Sequence, residues 1–268
     1  MLDLIQITND PAFARRCDAL DGMRLFVDLE RLGKAERQAG RNTFISTHQI
    51  DDVGRIKSQL RRSRLMVRVN PVNAGTRDEV EAVLEQGADM LMLPMFENAS
   101  QLREFLALVG ARAPVTALVE TAGALASIEE WIATPGLSEV YVGLNDLHLA
   151  LGRRFTFEPL AEGIVERVAS MAHARGIAFG FGGIARLEEG LLPGRDVLAE
   201  HLRLGSGSVI LSRTFPNSQG SHRFEDEVAA LRATEASLAL RTQEQAQMEA
   251  ARIALAIRGI AAAMAKAA

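Results

Sequence analysis

Cysteine occurs once, at Cys17, which excludes an intramolecular disulfide and any cysteine-built metal cluster. A large excess of one sign of charge is also missing. The net charge is −4 and the basic residues are scattered, so the chain offers no footprint for nucleic acid. It has no apolar run of 18 residues, and no membrane span or membrane partner is expected. Met1-Leu2-Asp3-Leu4 lacks the basic-then-apolar layout of a signal peptide, so the expected location is cytoplasmic. Dinucleotide fingerprints, Walker loops and serine nucleophile elbows are absent. Gly180-Phe181-Gly182-Gly183-Ile184 has the wrong spacing for a dinucleotide site and reads as a tight turn or a close backbone approach. Gly205-Ser206-Gly207-Ser208 precedes a strand, on the wrong face for catalysis.

What is present is an alternation of short apolar runs with longer polar segments of helical spacing. The spacing predicts strands at Leu25–Glu30, Thr43–Thr47, Leu65–Asn70, Met90–Pro94, Val115–Thr121, Val140–Leu144, Ala178–Gly182 and Ser208–Ser212. Several are apolar on both faces, as parallel strands covered by helices should be. Thr76-Arg77-Asp78-Glu79 and Ser127-Ile128-Glu129-Glu130 have the spacing of capping boxes. Eight βα units in a chain of 268 residues give an α/β fold, a (β/α)8 TIM barrel over residues 1–220. Residues 1–22, with Leu4–Ile7 and a helix at Pro11–Leu20, are expected to plug the barrel. From Arg223 proline disappears and Ala, Glu, Gln and Leu dominate. Residues 221–268 therefore read as a long C-terminal helical extension, with Leu231, Leu238, Met248, Ile253 and Ile257 on one face. It packs on its own barrel or bridges subunits.

Two runs, Ala117-Leu118-Val119-Glu120-Thr121 and Val140-Tyr141-Val142-Gly143-Leu144-Asn145-Asp146, are apolar and end in a carboxylate. An acid at the carboxyl end of a strand either caps the next helix or faces the mouth of the barrel. Two such acids suit a hard divalent cation, Mg²⁺ or Mn²⁺, with water and ligand oxygens completing its shell. Arg68 offers a planar fork to a substrate carboxylate or neutralises a structural acid such as Asp28. Asp28 and Glu30 end the first predicted strand and need Arg68, Lys34 or each other as partners. Asn70 and Asn73 line a pocket or form the turn at Pro71. His48 and His148 are the imidazoles placed for proton transfer, or else residues that begin helices. His173 and His201 read as structural.

These segments together resemble the HpcH/HpaI aldolase and citrate-lyase β-subunit-like superfamily. The resemblance rests on Val27-Asp28-Leu29-Glu30 with Lys34, Val67-Arg68-Val69-Asn70-Pro71, Gly87-Ala88-Asp89 with Leu93-Pro94, Val119-Glu120-Thr121, and Gly143-Leu144-Asn145-Asp146-Leu147. It implies that Glu120 and Asp146 hold Mg²⁺ or a similar ion. It further implies that Arg68, Asn70, Gly143, Leu144 and Asn145 meet a small 2-oxo acid, and that a pyruvate or oxaloacetate enolate is the intermediate. The implied activity is a metal-dependent class II aldolase, a carbon–carbon lyase whose second substrate is an aldehyde or sugar-derived compound. It also implies a homo-oligomer. The rivals are an acyl-CoA lyase or citrate-synthase-like condensing enzyme, and a non-catalytic binding or partner subunit. The binding-subunit rival is motivated by Arg31, which stands where one branch has its histidine base, and Leu118, where that branch often has glutamine; His148 stands where a small residue is usual. The base is then sought among His148, His48 and Glu30.

Overall fold

The computed structural model describes residues 1–34, 46–213, 215–216 and 223–267. Its strands are β1 (Asp3–Ile7), β2 (Met23–Asp28), β3 (Arg64–Arg68), β4 (Met90–Leu93), β5 (Val115–Val119), β6 (Leu137–Val142), β7 (Ala178–Ile184) and β8 (Ser208–Leu211). They follow chain order around a closed barrel. The run β2 to β5 pairs in parallel, as do β7 and β8. The helices are α1 (Pro11–Asp18), α2 (Ile50–Lys57), α3 (Thr76–Glu85), α4 (Ala99–Val109), α5 (Ala122–Ala126), α6 (Ile128–Trp131), α7 (Leu144–Ala150), α8 (Glu158–Ala161), α9 (Ile164–His173), α10 (Gly194–Arg203), α11 (Phe224–Ala239) and α12 (Gln243–Ala267).

The barrel is thus as expected, but its first strand is not. Residues 3–7, assigned to a plug, are β1 of the barrel. Of the expected strand at Thr43–Thr47, residues 43–45 lie outside the described residues, and Ser46 and Thr47 are not in a strand. The error has a plain cause. Leu4-Ile5-Gln6-Ile7 is as strand-like as any run in the chain, and nothing local says whether a strand pairs inside a barrel or lies across its end.

The described residues form two compact units, Ile5–Tyr141 and Met1–Leu4 with Val142–Ala268. In the first, β2 to β5 are buried along almost their full length, including Leu25, Phe26, Met66, Val67, Leu91, Met92 and Ala117. Burial on both faces explains why these runs do not alternate. At the amino ends of the strands, Arg24 Nη1 donates to Glu139 Oε2 at 2.8 Å, and Thr116 Oγ1 donates to the same oxygen. That end of a barrel is the stability end. The capping box at Thr76 is not formed. The helix begins one residue earlier than such a box requires, with Gly75 as N-cap, and Thr76 Oγ1 accepts instead from the Asn73 N–H.

In the second unit, the C-terminal segment is two helices broken at residues 240–242. Thr242 Oγ1 accepts from the Gln245 N–H and Gln245 Oε1 accepts from the Thr242 N–H, so a reciprocal cap starts α12. Helix α12 packs on α8 and α10 of its own chain. Arg252 grips Asp196 through both terminal nitrogens, and Glu249 receives Arg195 and Arg241. Ile253 and Ile257 are buried there, but Met248, expected on the same face, is 61% exposed. Helix α11 holds the chain start: Glu235 Oε1 accepts from the Leu2 N–H at 2.7 Å while Arg232 donates to the Leu2 carbonyl. Gly182, at φ +53°, belongs to β7, and a Cβ there would lie 2.9 Å from Leu144 Cδ1. This glycine makes room for a leucine.

His201 is fully buried in α10, stacked on Phe181 with ring centroids 3.8 Å apart. Its Nδ1 donates to Ser206 Oγ, which donates in turn to the Ser208 carbonyl. Burial pushes the imidazole down to about 3 from an ordinary value near 6.5. The native state therefore excludes a proton that the unfolded state takes up. The stability this confers is complete above about pH 7 and is lost as pH falls from about 6.5 toward 3, on the order of 5 kcal/mol in all. His201→Phe, which keeps the stack, should flatten the pH dependence of the urea midpoint over that range relative to wild type. Parallel pH profiles for the two proteins would refute this origin.

Candidate active site

In the Ile5–Tyr141 unit, Asp28, Glu30, Lys34, His48, Arg68 and Glu120 gather at the carboxyl ends of β2, β3 and β5. Strand register creates the cluster, because Asp28 and Arg68 are Cα partners at the last step of the β2–β3 ladder. The Arg68 guanidinium meets the Asp28 carboxylate fork to fork, Nε to Oδ1 and Nη2 to Oδ2, both at 2.8 Å. Nη2 also lies 3.3 Å from Glu30 Oε2. Lys34 Nζ bridges the same two acids, 3.0 Å from Asp28 and 3.2 Å from Glu30. Burial alone would raise the Asp28 pKa, but Arg68 and Lys34 outweigh it and hold the carboxyl well below the usual range. Burial likewise opposes the charge on Arg68, and Asp28, Glu30 and Glu120 overcome it. Removing one member of such a pair leaves an uncompensated buried charge, at roughly 3–5 kcal/mol.

The arginine that the sequence offers as a fork is thus already engaged along its Nε–Nη2 edge. Among the described residues Nη1 makes no hydrogen bond, and it is the end left to meet an anion. The expectation for Asn70 changes too. Its Oδ1 accepts from the N–H groups of Arg31 and Leu32, and its Nδ2 and backbone N–H donate to Glu79. The Asn70 amide therefore holds the loop after β2. Asn73 forms the turn, with its Oδ1 accepting from the Gly75 N–H.

Glu120 follows β5 and is buried. Its Oε1 accepts from the Met95 N–H at 3.1 Å. Met95 has φ +53° and is, among the described residues, the one non-glycine in the left-handed region. Strain of this kind is tolerated where surrounding structure over-determines it, commonly at ligand sites. Next to it, Thr121 caps α5, accepting from the Ala124 N–H and donating to the Phe96 carbonyl.

The two histidines are in opposite states. His48, in the coil before α2, is 6% exposed. Its Nδ1 accepts from the Asp28 N–H at 3.1 Å. Burial lowers its pKa, with Lys34 and Arg31 adding to the effect and Asp28 and Asp52 opposing it. Arg31, which stands at the position of the expected base, donates to the His48 carbonyl. In the other unit, Gly143 is the N-cap of α7 and Asp146 lies half-buried in its first turn. Leu144 is buried against Gly182, and Asn145 is exposed. His148 is buried in the same helix, with Nδ1 3.0 Å from the Leu144 carbonyl. A carbonyl only accepts, so Nδ1 carries a proton, and in the neutral ring the lone pair is on Nε2.

Among the described residues no group of three or more His, Cys, Asp or Glu side chains is arranged to hold a metal ion. The buried Glu120 carboxylate, anchored through Oε1, is a fitting hard donor for Mg²⁺, which keeps several waters and takes one or two protein carboxylates. Glu79 and Met95 were not singled out from the sequence. Glu79 sits in the pattern that resembles a capping box, where its carboxylate serves Asn70 instead. A left-handed methionine has no sequence signal.

The family model for HpcH/HpaI aldolase/citrate lyase matches residues 24–184. A (3S)-malyl-CoA thioesterase from Cereibacter sphaeroides (strain KD131 / KCTC 12085) is 35% identical over 130 residues, covering 47% of this chain and 45% of the relative. The chain thus aligns with less than half the length of that curated relative. Among solved structures, an HpcH/HpaI aldolase from Desulfitobacterium hafniense DCB-2 superposes with a TM-score of 0.61 at 18% identity, covering 88% of this chain and 90% of that one. A citrate lyase from Burkholderia xenovorans LB400 superposes with a TM-score of 0.64 at 19% identity, covering 97% and 83%. At those identities the solved structures speak for the fold. The family match spans more than half the sequence, and the chain belongs to the HpcH/HpaI aldolase/citrate lyase family.

Proposed function

We propose that the protein is a divalent-metal-dependent carbon–carbon lyase acting on a small 2-oxo acid through its enolate. The observation that carries this reading is the pairing of a buried, anchored carboxylate, Glu120, with an arginine whose free end is limited to Nη1. One group suits a hard cation and the other an anionic oxygen, and a 2-oxo acid is the ligand chemistry that uses both. Glu120 and Asp146 are the proposed ligands of Mg²⁺ or Mn²⁺, which when bound supplies Lewis-acid stabilisation of developing negative charge. Arg68 Nη1 donates to the substrate carboxylate or carbonyl, with Asp28, Glu30 and Lys34 fixing the guanidinium plane. Gly143, Leu144 and Asn145 form the loop wall proposed to meet the same ligand. His148 Nε2, the lone-pair nitrogen, takes the proton from the hydroxyl on the carbon that is released as an aldehyde. Cleavage of the carbon–carbon bond leaves its electron pair as the enolate, which is then protonated at carbon.

A second reading is favoured by the thioesterase name of the curated relative. On that reading the same groups act on an acyl-CoA, as a thioesterase, an acyl-CoA lyase or a citrate-synthase-like condensing enzyme. A binding subunit without turnover is the third. The proposed setting is cytoplasmic and homo-oligomeric, with the exposed stripe of α12 that includes Met248 and Leu255, the latter 69% exposed, as the subunit contact.

Exchange of the pyruvate methyl protons with deuterated water, followed by NMR, should proceed with Mg²⁺ or Mn²⁺ and stop on chelation. Glu120→Gln should lower it by roughly a hundredfold or more. If pyruvate is inert under every metal while (3S)-malyl-CoA releases free thiol, the thioester reading replaces this one; if both are inert, the binding reading does. His148→Ala should lower cleavage of a 4-hydroxy-2-oxo acid roughly a hundredfold or more while lowering pyruvate methyl exchange far less, because the hydroxyl it deprotonates is absent from pyruvate. An unchanged cleavage rate would dismiss His148. Leu255→Glu should reduce the mass measured by light scattering, and an unchanged mass would remove α12 from the subunit contact.

A further inference from the structure

We infer that His48 is a fixed hydrogen-bond donor to the ligand, not a proton acceptor. The inference deepens the reading above and starts from one bond. A backbone N–H can only donate, so the His48 Nδ1 that receives the Asp28 N–H must present its lone pair. A neutral imidazole with an unprotonated Nδ1 carries its proton on Nε2. Both lone-pair functions are then accounted for: Nδ1 is engaged and Nε2 has none. The ring cannot take a proton without breaking the bond to Asp28, and its burial disfavours the charged form.

The surroundings also hold the His48 backbone. The His48 N–H donates to Ser46 Oγ at 3.1 Å, and the Arg31 guanidinium donates to the His48 carbonyl at 2.7 Å. Arg31 is itself held where its N–H meets Asn70 Oδ1. Lys34 and Asp28 act electrostatically on both His48 and the Arg68 cluster, so the ring borders that cluster. Among the described residues Nε2–H has no hydrogen-bond acceptor. A buried residue (6% exposed) whose ring is held at Nδ1, whose backbone is held at N–H and carbonyl, and whose side chain ends in an unused donor is suited to an anionic or carbonyl oxygen. The ligand class is an oxyanion-bearing acid, such as a 2-oxo acid or its enolate. The step asked of His48 transfers no proton; its Nε2–H stays on nitrogen while charge grows on the oxygen it faces.

The test is the tautomer itself, read by ¹⁵N-edited NMR of the histidine side chains in the full-length protein, with His48→Gln assigning the signals. An Nε2–H form at neutral pH, with Nε2–H shifting when pyruvate and Mg²⁺ are added, is the expected result. An Nδ1–H form, an imidazolium at neutral pH, or an Nε2–H signal indifferent to pyruvate and Mg²⁺ would overturn the proposal. In the exchange assay, His48→Ala should lower the rate roughly ten- to a hundredfold at every pH, with the shape of the pH profile kept and His48→Gln partly restoring the rate. Loss of a pH limb in His48→Ala would make it a base and overturn the assignment. If pyruvate proves inert, the lyase reading falls while the tautomer spectrum still decides His48. In that case the shift is sought with (3S)-malyl-CoA, and its absence there too overturns the donor role.

Discussion

The bidentate contact between Arg68 and Asp28 is the constraint from which the rest of the site follows. Neither charge is stable alone at the buried end of β2 and β3, and each is the reason the other can be there. The contact exists because the parallel register sets the two residues opposite each other at the last step of the ladder. Once formed, it decides which end of the guanidinium is free. It also draws Glu30 and Lys34 inward, so that two acids and two cations close into one network. The backbone N–H of Asp28, at the last step of the ladder, is the donor that fixes His48. One ion pair thereby sets the orientation of an arginine and the protonation pattern of a histidine.

The two histidines illustrate how a partner atom assigns chemistry. The residues are the same and both are buried, yet one ring meets a backbone N–H and the other a backbone carbonyl. The first must keep its proton on Nε2 and the second must keep it on Nδ1. A donor and a lone pair result from groups with no side-chain chemistry of their own. The loop after β2 is built in the same economical way. Glu79 holds Asn70, Asn70 holds the backbone of residues 31 and 32, and Arg31 holds the His48 carbonyl. Arg31, which in the sequence looks like the loss of a base, is here a brace.

Much of the fold was legible because periodicity reports burial directly. Strands covered by helices on the outside and side chains on the inside are apolar throughout, and Leu91-Met92-Leu93 or Val115 to Val119 needs no other explanation. The misplaced first strand shows the limit. A strand-like run announces a strand, but its neighbour in the barrel is a long-range property. The two C-terminal helices show another: their apolar spacing was visible, while the reciprocal cap at Thr242 and the exposed Met248 depended on where α10 lies against α12.

By itself the sequence determined the fold class, the family and the strand ends where Asp28, Arg68 and Glu120 reside, because hydrophobic periodicity and short motifs are local. Tertiary structure decided what those groups can do. Which edge of Arg68 is free, which nitrogen of each histidine bears the proton, that Asn70 holds a loop and that Met95 adopts a left-handed turn beside Glu120 all depend on atoms supplied by distant segments. Residue type fixes the chemical repertoire of a side chain, and the hydrogen-bond partner selects from it.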